Sequence, residues 1–344
     1  MSPNSGYIEL EINLRAYGGI SMNENLTDDQ LDEIFNSEKL DQAIRKSKQK
    51  STRKTILISI LVAVFVVIIF SVGNTALTII MSNKAYNKTN AHVKLSIPNG
   101  YISKSVDTFG LLGGRTDYTI CRILNGKPII LENQMRTFGI IPQFTMSRQQ
   151  ITAEHIAGQW PTNYWEYGYN KMIFFHPTIT YKEYKNDLSD LSQISNDKVI
   201  ELGLSLDKPY NISEISKILP DTNINWFWID AFKSQDIQQY QKEAKEYDAK
   251  AAYITEYDAL GVSMGYFKGM GNFSSQYNDF LFNLKASQDS KNLEIYNELN
   301  KKGYADASKV PILGVVVYGT KDQLNNLVNN PHIKASSFGV IADK

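Results

Sequence analysis

Between Lys54 and Lys84 the chain carries no charged residue, and the stretch reads TILISILVAVFVVIIFSVGNTALTIIMSN. No other feature restricts the fold as much. A hydrocarbon layer of ~30 Å takes ~20 helical residues at 1.5 Å each, so the run can cross a bilayer with length to spare. A helix in a soluble core needs only one apolar face, whereas residues 56–72 are aliphatic or Phe almost throughout. A cleaved signal peptide fits no better. About 50 residues precede the run, it exceeds the usual ~7–15 residue apolar core, and no A-x-A site comes after it. The expectation is a retained transmembrane helix over residues 55–81.

Flanking charge orients that helix. Residues 39–54 hold Lys39, Arg45, Lys46, Lys48, Lys50, Arg53 and Lys54 against the single acid Asp41, while beyond the run Lys84, Lys88 and Lys94 are thinly spread. The positive-inside rule keeps the N-terminus cytoplasmic and exports the chain beyond Asn83. Four segments are expected: a cytoplasmic tail (1–54), the span (55–81), an exported β-rich subdomain (84–195) and an exported α+β C-terminal domain (196–344). The lipid bilayer is the first partner.

The tail is split in charge. Residues 1–38 contain eight acids and one base, Arg15. The basic block after them is explained by topology and by anionic lipid, but the acids are not. Ile8, Leu10, Ile12 and Leu14 alternate with polar residues, the period-2 mark of a strand that lacks a sheet of its own. Thr27-Asp28-Asp29-Gln30 has capping-box spacing, and Leu31, Ile34, Phe35, Leu40, Ala43 and Ile44 continue as an apolar stripe. One reading is a solvated helix feeding the span. The other starts from the tail's being too short to bury that stripe itself, which makes it a docking helix for a cytosolic partner. Leu31, Ile34, Phe35, Leu40 and Ile44 would then make the contact. Asp28, Asp29, Asp32 and Glu33 would favour a basic partner.

Past the span the charges balance, 28 basic to 27 acidic. The whole chain is neutral too, 36 basic to 36 acidic residues, which argues against a dedicated nucleic-acid binder, and no direct nucleic-acid contact is expected. The lone Cys121 excludes an intrachain disulfide framework, and the four histidines are too far apart for a local metal signature. Residues 116–124 and 129–135 flank Asn125-Gly126, a hairpin signal. The FGLLGG run at 109–114 reads as a turn, and the aromatic-rich window from Trp160 to Tyr184 reads as core. A polar connection at 185–197 is a candidate subdomain boundary. Leu202, Leu204 and Leu206 alternate before an Asp207-Lys208-Pro209 turn, and Asn211-x-x-Glu214 caps a short helix ended by Pro220. INWFWIDAF then returns as a strand. The plan repeats at ILGVVVY, Thr320-x-x-Gln323 and residues 333–341, with helices expected at 234–251 and 275–302. The fold class is α+β with a mixed or antiparallel sheet, ferredoxin-like in part.

H-E-x-x-H does not occur; G-x-S-x-G occurs at 261–265 and S-x-x-K at 47–50, 51–54, 195–198 and 205–208, and patterns this short signal catalysis only in the right structural context. Asp207, Asp230 and His332 stand where structural hydrogen bonds are the default, so no catalytic, cofactor or metal residue is expected. A tethered enzyme would need a deep polar pocket with converging titratable groups.

Several segments carry a resemblance. KLDQAIRKSKQKSTRKTILISILV, SNKAYNK, PNGYIS and FGLLGG resemble the N-terminal part of the sigma-factor-regulator family of Gram-positive bacteria. LSLDKPYNISEISKILP, NWFWIDAF, GYF at 265–267 and LGVVVYGTKDQLNNLVNNPHIKASSFG are similar to its C-terminal part. The resemblance spans roughly residues 39–341. It implies a membrane anti-sigma factor whose cytoplasmic side restrains an extracytoplasmic-function sigma factor and whose exported part reports on the envelope. It leaves room for a second small membrane anti-sigma subunit. It brings no catalytic residues, and the His/Cys zinc motif of another anti-sigma class is missing. The first 38 residues lie outside it, so contacts assigned there rest on the physical reading.

Overall fold

The computed structural model describes residues 37–140, 158–265, 273–287 and 289–344. The chain divides into two units, Met1–Ser71 and Val72–Lys344. The described part of the first unit is helical throughout, belonging to helix α1 (Ser37–Ser96). Its apolar side chains face outward; Leu61 and Phe65 are 68% and 63% exposed. The most apolar window of the helix has a mean hydropathy of 3.1 and no buried residue. This is a helix long and apolar enough to cross a membrane. It does not stop at the expected residue 81. Nothing after Gly73 breaks it until Pro98, which disfavours helical geometry in the residue before it.

The second unit opens with an antiparallel meander of β1 (Gly100–Gly110), β2 (Gly113–Leu124) and β3 (Lys127–Gly139). Asn125 and Gly126 join β2 to β3 with φ of 49° and 78°, the positive pair that a type I′ turn requires. Leu111 and Leu112 turn β1 into β2. The meander buries Tyr118, Ile120, Leu124 and Leu131 against Val93 and Ile97 at the end of α1, and against Trp165, Val199 and Val340.

The larger sheet contains β5 (Lys198–Tyr210), β6 (Ile224–Ile229), β8 (Gly261–Ser263), β9 (Ile312–Gly319) and β10 (Ile333–Asp343). Its order is β10-β5-β9-β6-β8 with every neighbouring pair antiparallel. A two-residue pair, β4 (Ile173–Phe174) with β7 (Ile254–Thr255), lies apart from it. Helix α2 (Ile212–Ile218) links β5 to β6, and α6 (Lys321–Leu324) links β9 to β10. Counting only β5, β6, β9 and β10, the order is 4-1-3-2, the split β-α-β arrangement of ferredoxin-like folds. Between its halves are inserted α3 (Ser234–Glu246), β7, β8, α4 (Phe273–Ala286) and α5 (Ser290–Lys301). The α+β class and the partial ferredoxin-like plan therefore stand.

Local chemistry explains the connections. The Asn211 side chain accepts from Glu214 N at 3.1 Å while Glu214 Oε2 accepts from Asn211 N at 2.8 Å, the reciprocal box read from the spacing. Thr320 and Gln323 do the same for α6. One expectation fails: Asp207-Lys208-Pro209 is not a turn, and β5 runs through it to Tyr210. The β5–β9 register slips between Ser205 and Tyr210, so Pro209 falls where no ladder donor is needed. The 185–197 segment holds a 3-10 helix (Asp187–Gln193) whose Leu188 and Leu191 are buried in the same cluster as Leu202 and Leu204 of β5.

Candidate functional site

The first candidate is the tail helix. Asp28, Asp29, Leu31, Asp32, Glu33, Ile34 and Phe35 lie outside the described residues. Leu40 and Ile44 are in the first turns of α1, 47% and 54% exposed, and a spacing of four puts them on one face. Beyond them, Arg45, Lys48 and Arg53 line one stretch of the helix with Gln49 and Thr52. After Asp41 no acid occurs until Asp107, so an exposed apolar pair gives way directly to a cationic collar.

The second unit contains a buried ionic joint that sequence reasoning missed. Arg122 on β2, Glu201 on β5 and Glu256 just after β7 are 0%, 0% and 1% exposed. Arg122 Nη1 donates to Glu201 Oε2 at 2.5 Å and Nη2 donates to Glu256 Oε1. One backbone donor joins each carboxylate, Val340 N to Glu201 Oε2 at 3.1 Å and Met172 N to Glu256 Oε2 at 3.0 Å, while the buried Glu201 Oε1 and Arg122 Nε have no hydrogen-bond partner among the described residues. Gly339 is required beside them, because a Cβ there would stand 2.6 Å from Glu201 Oε2. The Arg122 guanidinium also lies over the Trp165 ring, 5.6 Å from its centroid. Burial raises the pKa of Glu256, and Arg122 only partly offsets it. For Arg122 burial alone would lower the value, but the two carboxylates outweigh it and hold the guanidinium charged. The only sequence signal was a charge inside each of two apolar strands, CRIL and VIELGL. The joint fastens meander to sheet and carries no reacting group.

The third candidate is a cleft of about 370 Å³ between the end of α1, α3 and the start of α5. Lys88, His92, Asp236, Glu243, Tyr257, Asp258 and Asp289 line it. The His92 and Tyr257 rings stack with centroids 6.0 Å apart and 3° between planes. Burial, then the charge of Arg136, lowers the His92 pKa, so the ring is neutral at pH 7. Lys88 Nζ pairs with Asp289 Oδ2 at 2.7 Å, and that bond holds the Asp289 carboxyl below its usual range. The other acids are engaged as well. Asp236 accepts from Lys233 N, Glu243 from Gln239 and Asp258 from Thr255. Among the described residues no Ser, Thr or Cys lines the cleft. The arrangement suits a small polar ligand held by ring faces and mixed charge. Among the described residues no group of three or more His, Cys, Asp or Glu is placed to hold a metal ion.

Elsewhere, Asp207 accepts from Tyr210 Oη, which also lies 2.8 Å from His332 Nδ1. Asp230 lies 3.9 Å from His176 Nε2.

Comparison with known families gives two matches. Residues 41–129 match the family described as sigma factor regulator N-terminal, covering α1 from Asp41 through the β2–β3 turn. Residues 191–340 match the family described as sigma factor regulator C-terminal, covering the ferredoxin-like sheet and its insertion. No curated protein and no solved structure matches the chain.

Proposed function

We infer the function from one premise: the chain belongs to the sigma factor regulator family, which makes a sigma factor its partner and an anti-sigma factor its role. The finer reading is that residues 1–54 lie in the cytoplasm and sequester an extracytoplasmic-function sigma factor at the membrane. Leu31, Ile34, Phe35, Leu40 and Ile44 form the apolar contact, and Asp28, Asp29, Asp32 and Glu33 meet a basic partner surface. The observation that carries this reading is the pair of family matches, one over the membrane-competent helix and one beyond it. The outward-facing Leu40 and Ile44 at the start of that helix support it.

The charge asymmetry around residues 55–83 supports an N-terminus inside and the second unit outside. On that orientation the second unit reports envelope state, and the His92–Tyr257 cleft is the place where a small polar ligand would enter the signal. Release of the sigma factor then takes either a signal-driven change in the tail's affinity for it or proteolysis of the anchor.

The test uses the full chain in vesicles with each extracytoplasmic-function sigma factor of the same organism. Binding is expected to weaken as salt rises. The double variant Leu31→Asp, Phe35→Asp should release the factor and raise transcription of its regulon. No binding by the intact chain overturns the proposal. If deleting residues 1–38 leaves transcription unchanged, the tail is a passive anchor and the second unit an envelope-binding module.

A further inference from the structure

Within the second unit, the part of α1 that continues the uncharged run turns three polar residues inward and large apolar residues outward, with Thr75 and Asn83 exposed beside them. Asn74, Thr78 and Ser82, spaced by four, share one face; Thr78 and Ser82 are 0% and 2% exposed. Val72, Ile79 and Ile80 look outward at 65%, 43% and 66% exposure. A water-facing helix has the reverse pattern. A helix in lipid hides its polar groups against protein, as here.

The tip of the β1–β2 hairpin covers the polar face. Asn74 Nδ2 donates to Gly110 O at 3.1 Å, and its Oδ1 accepts from Leu112 N at 2.6 Å. One amide thus satisfies a donor and an acceptor of the turn. Thr78 Oγ1 turns back to Asn74 O at 2.8 Å. Ser82 Oγ donates to Asp107 Oδ2, and Thr116 Oγ1 reaches the other oxygen of Asp107 at 2.7 Å. Polar side chains between helix and hairpin are consumed by one another.

The tip itself is apolar, and among the described residues nothing covers it. Phe109, Leu111 and Ile140 are 48%, 58% and 61% exposed. Ile140 N donates to Leu112 O at 2.9 Å, which brings it to the same tip. At 1.5 Å per residue a ~30 Å hydrocarbon layer beginning after Lys54 is filled by about residue 74. The turn bound to Asn74 therefore meets the outer edge of that layer, ~15 Å short of the first charge, Lys84.

We propose that the β1–β2 tip, with Phe109, Leu111 and Ile140, inserts into the membrane interface beside α1, so that the second unit touches the bilayer at a second point besides its helix. The occupant of this surface is lipid. Continuity with the outward apolar face of α1, and the turn's polar groups being answered by Asn74 rather than left for water, argue for it over a protein partner. The tip would tie the meander, and through Arg122 the large sheet, to the membrane.

The test is depth-dependent quenching in the full chain. In a Cys121→Ala background, Leu111→Cys and, separately, Ile140→Cys are labelled with a nitrobenzoxadiazole fluorophore. Asn125→Cys, at the far end of β2 and ~40 Å away at 3.4 Å per residue, is the control. Each is reconstituted into vesicles of phosphatidylcholine and phosphatidylglycerol, with or without shallow nitroxide-labelled lipid. The labels at 111 and 140 should emit to the blue and be quenched several-fold more than the label at 125. Quenching at 111 and 140 equal to that at 125 overturns the proposal. Blue-shifted emission without lipid quenching overturns it too, since protein would then cover the tip.

Discussion

Replacing Arg122 by Met would remove one charge and leave two carboxylates buried, each already stripped of water. Breaking a buried ion pair by deleting one partner costs about 3–5 kcal/mol, because the charge left behind has nothing to answer it. Here the remaining groups have some relief. Met172 N and Val340 N still donate to Glu256 and Glu201, and Glu256, whose pKa is already raised by burial, can take up a proton. The sign comes from linkage. A carboxyl whose folded-state pKa lies above its unfolded value favours the fold below the unfolded value and loses that contribution as pH rises through the folded one. Without Arg122 only the Met172 N–H bond still opposes the raising effect of burial on Glu256, so the loss should be greatest at pH 8, about 4 kcal/mol, and should shrink toward pH 5. For a unit of this size that loss corresponds to roughly 10 °C in Tm. The assay is urea unfolding of the full chain in detergent micelles, followed by tryptophan emission, with Trp165 beside the missing guanidinium as reporter. Adding Glu256→Gln to Arg122→Met should recover a substantial part of the loss at pH 8 and little at pH 5. A cost below ~1 kcal/mol, or one independent of pH, would refute the account of the joint.

Three further outcomes are expected. Asn211→Ala removes one half of the capping box on α2 and should cost about 1 kcal/mol in urea unfolding, with Asn211→Ser nearly neutral. His92 is held below its ordinary pKa, so acid loads the unfolded chain with a proton first; stability should fall below about pH 6.5, and His92→Gln should flatten that fall in a melting series. Trp228→Ala, at a fully buried position packed on Phe174 and Phe232, should cost about 3–5 kcal/mol in the same assay.

The parts of the fold legible in the sequence are those written in adjacent residues. Asn125-Gly126 demands a type I′ turn wherever it stands, and Asn211 with Glu214 closes a helix N-terminus within one turn of chain. The apolar run announces itself by length alone. The continuation of β5 past Pro209 was hidden because the proline's tolerance depends on a register slip against β9, set by tertiary pairing. The ionic joint was hidden for a similar reason: Arg122 lies 79 residues from Glu201 and 134 from Glu256 in sequence. No local pattern connects such residues. A charged residue centred in an apolar strand does, however, signal that a buried counter-charge must exist somewhere in the chain.

Asn74, Thr78 and Ser82 sharpen the same point. In the sequence they are three polar residues that a long apolar run can tolerate, and a hydropathy window averages them away. Their spacing of four becomes meaningful only when the hairpin tip arrives beside them, because a lipid-facing helix can keep polar groups only where protein answers them. The same geometry explains why FGLLGG leaves Leu111 uncovered: a turn meant for water has no use for paired leucines, whereas one seated at the bilayer edge does. The surface chemistry of α1 thus changes along its length from exposed apolar pair, to cationic collar, to outward-facing apolar cylinder, to a helix with its polar face clasped by a hairpin.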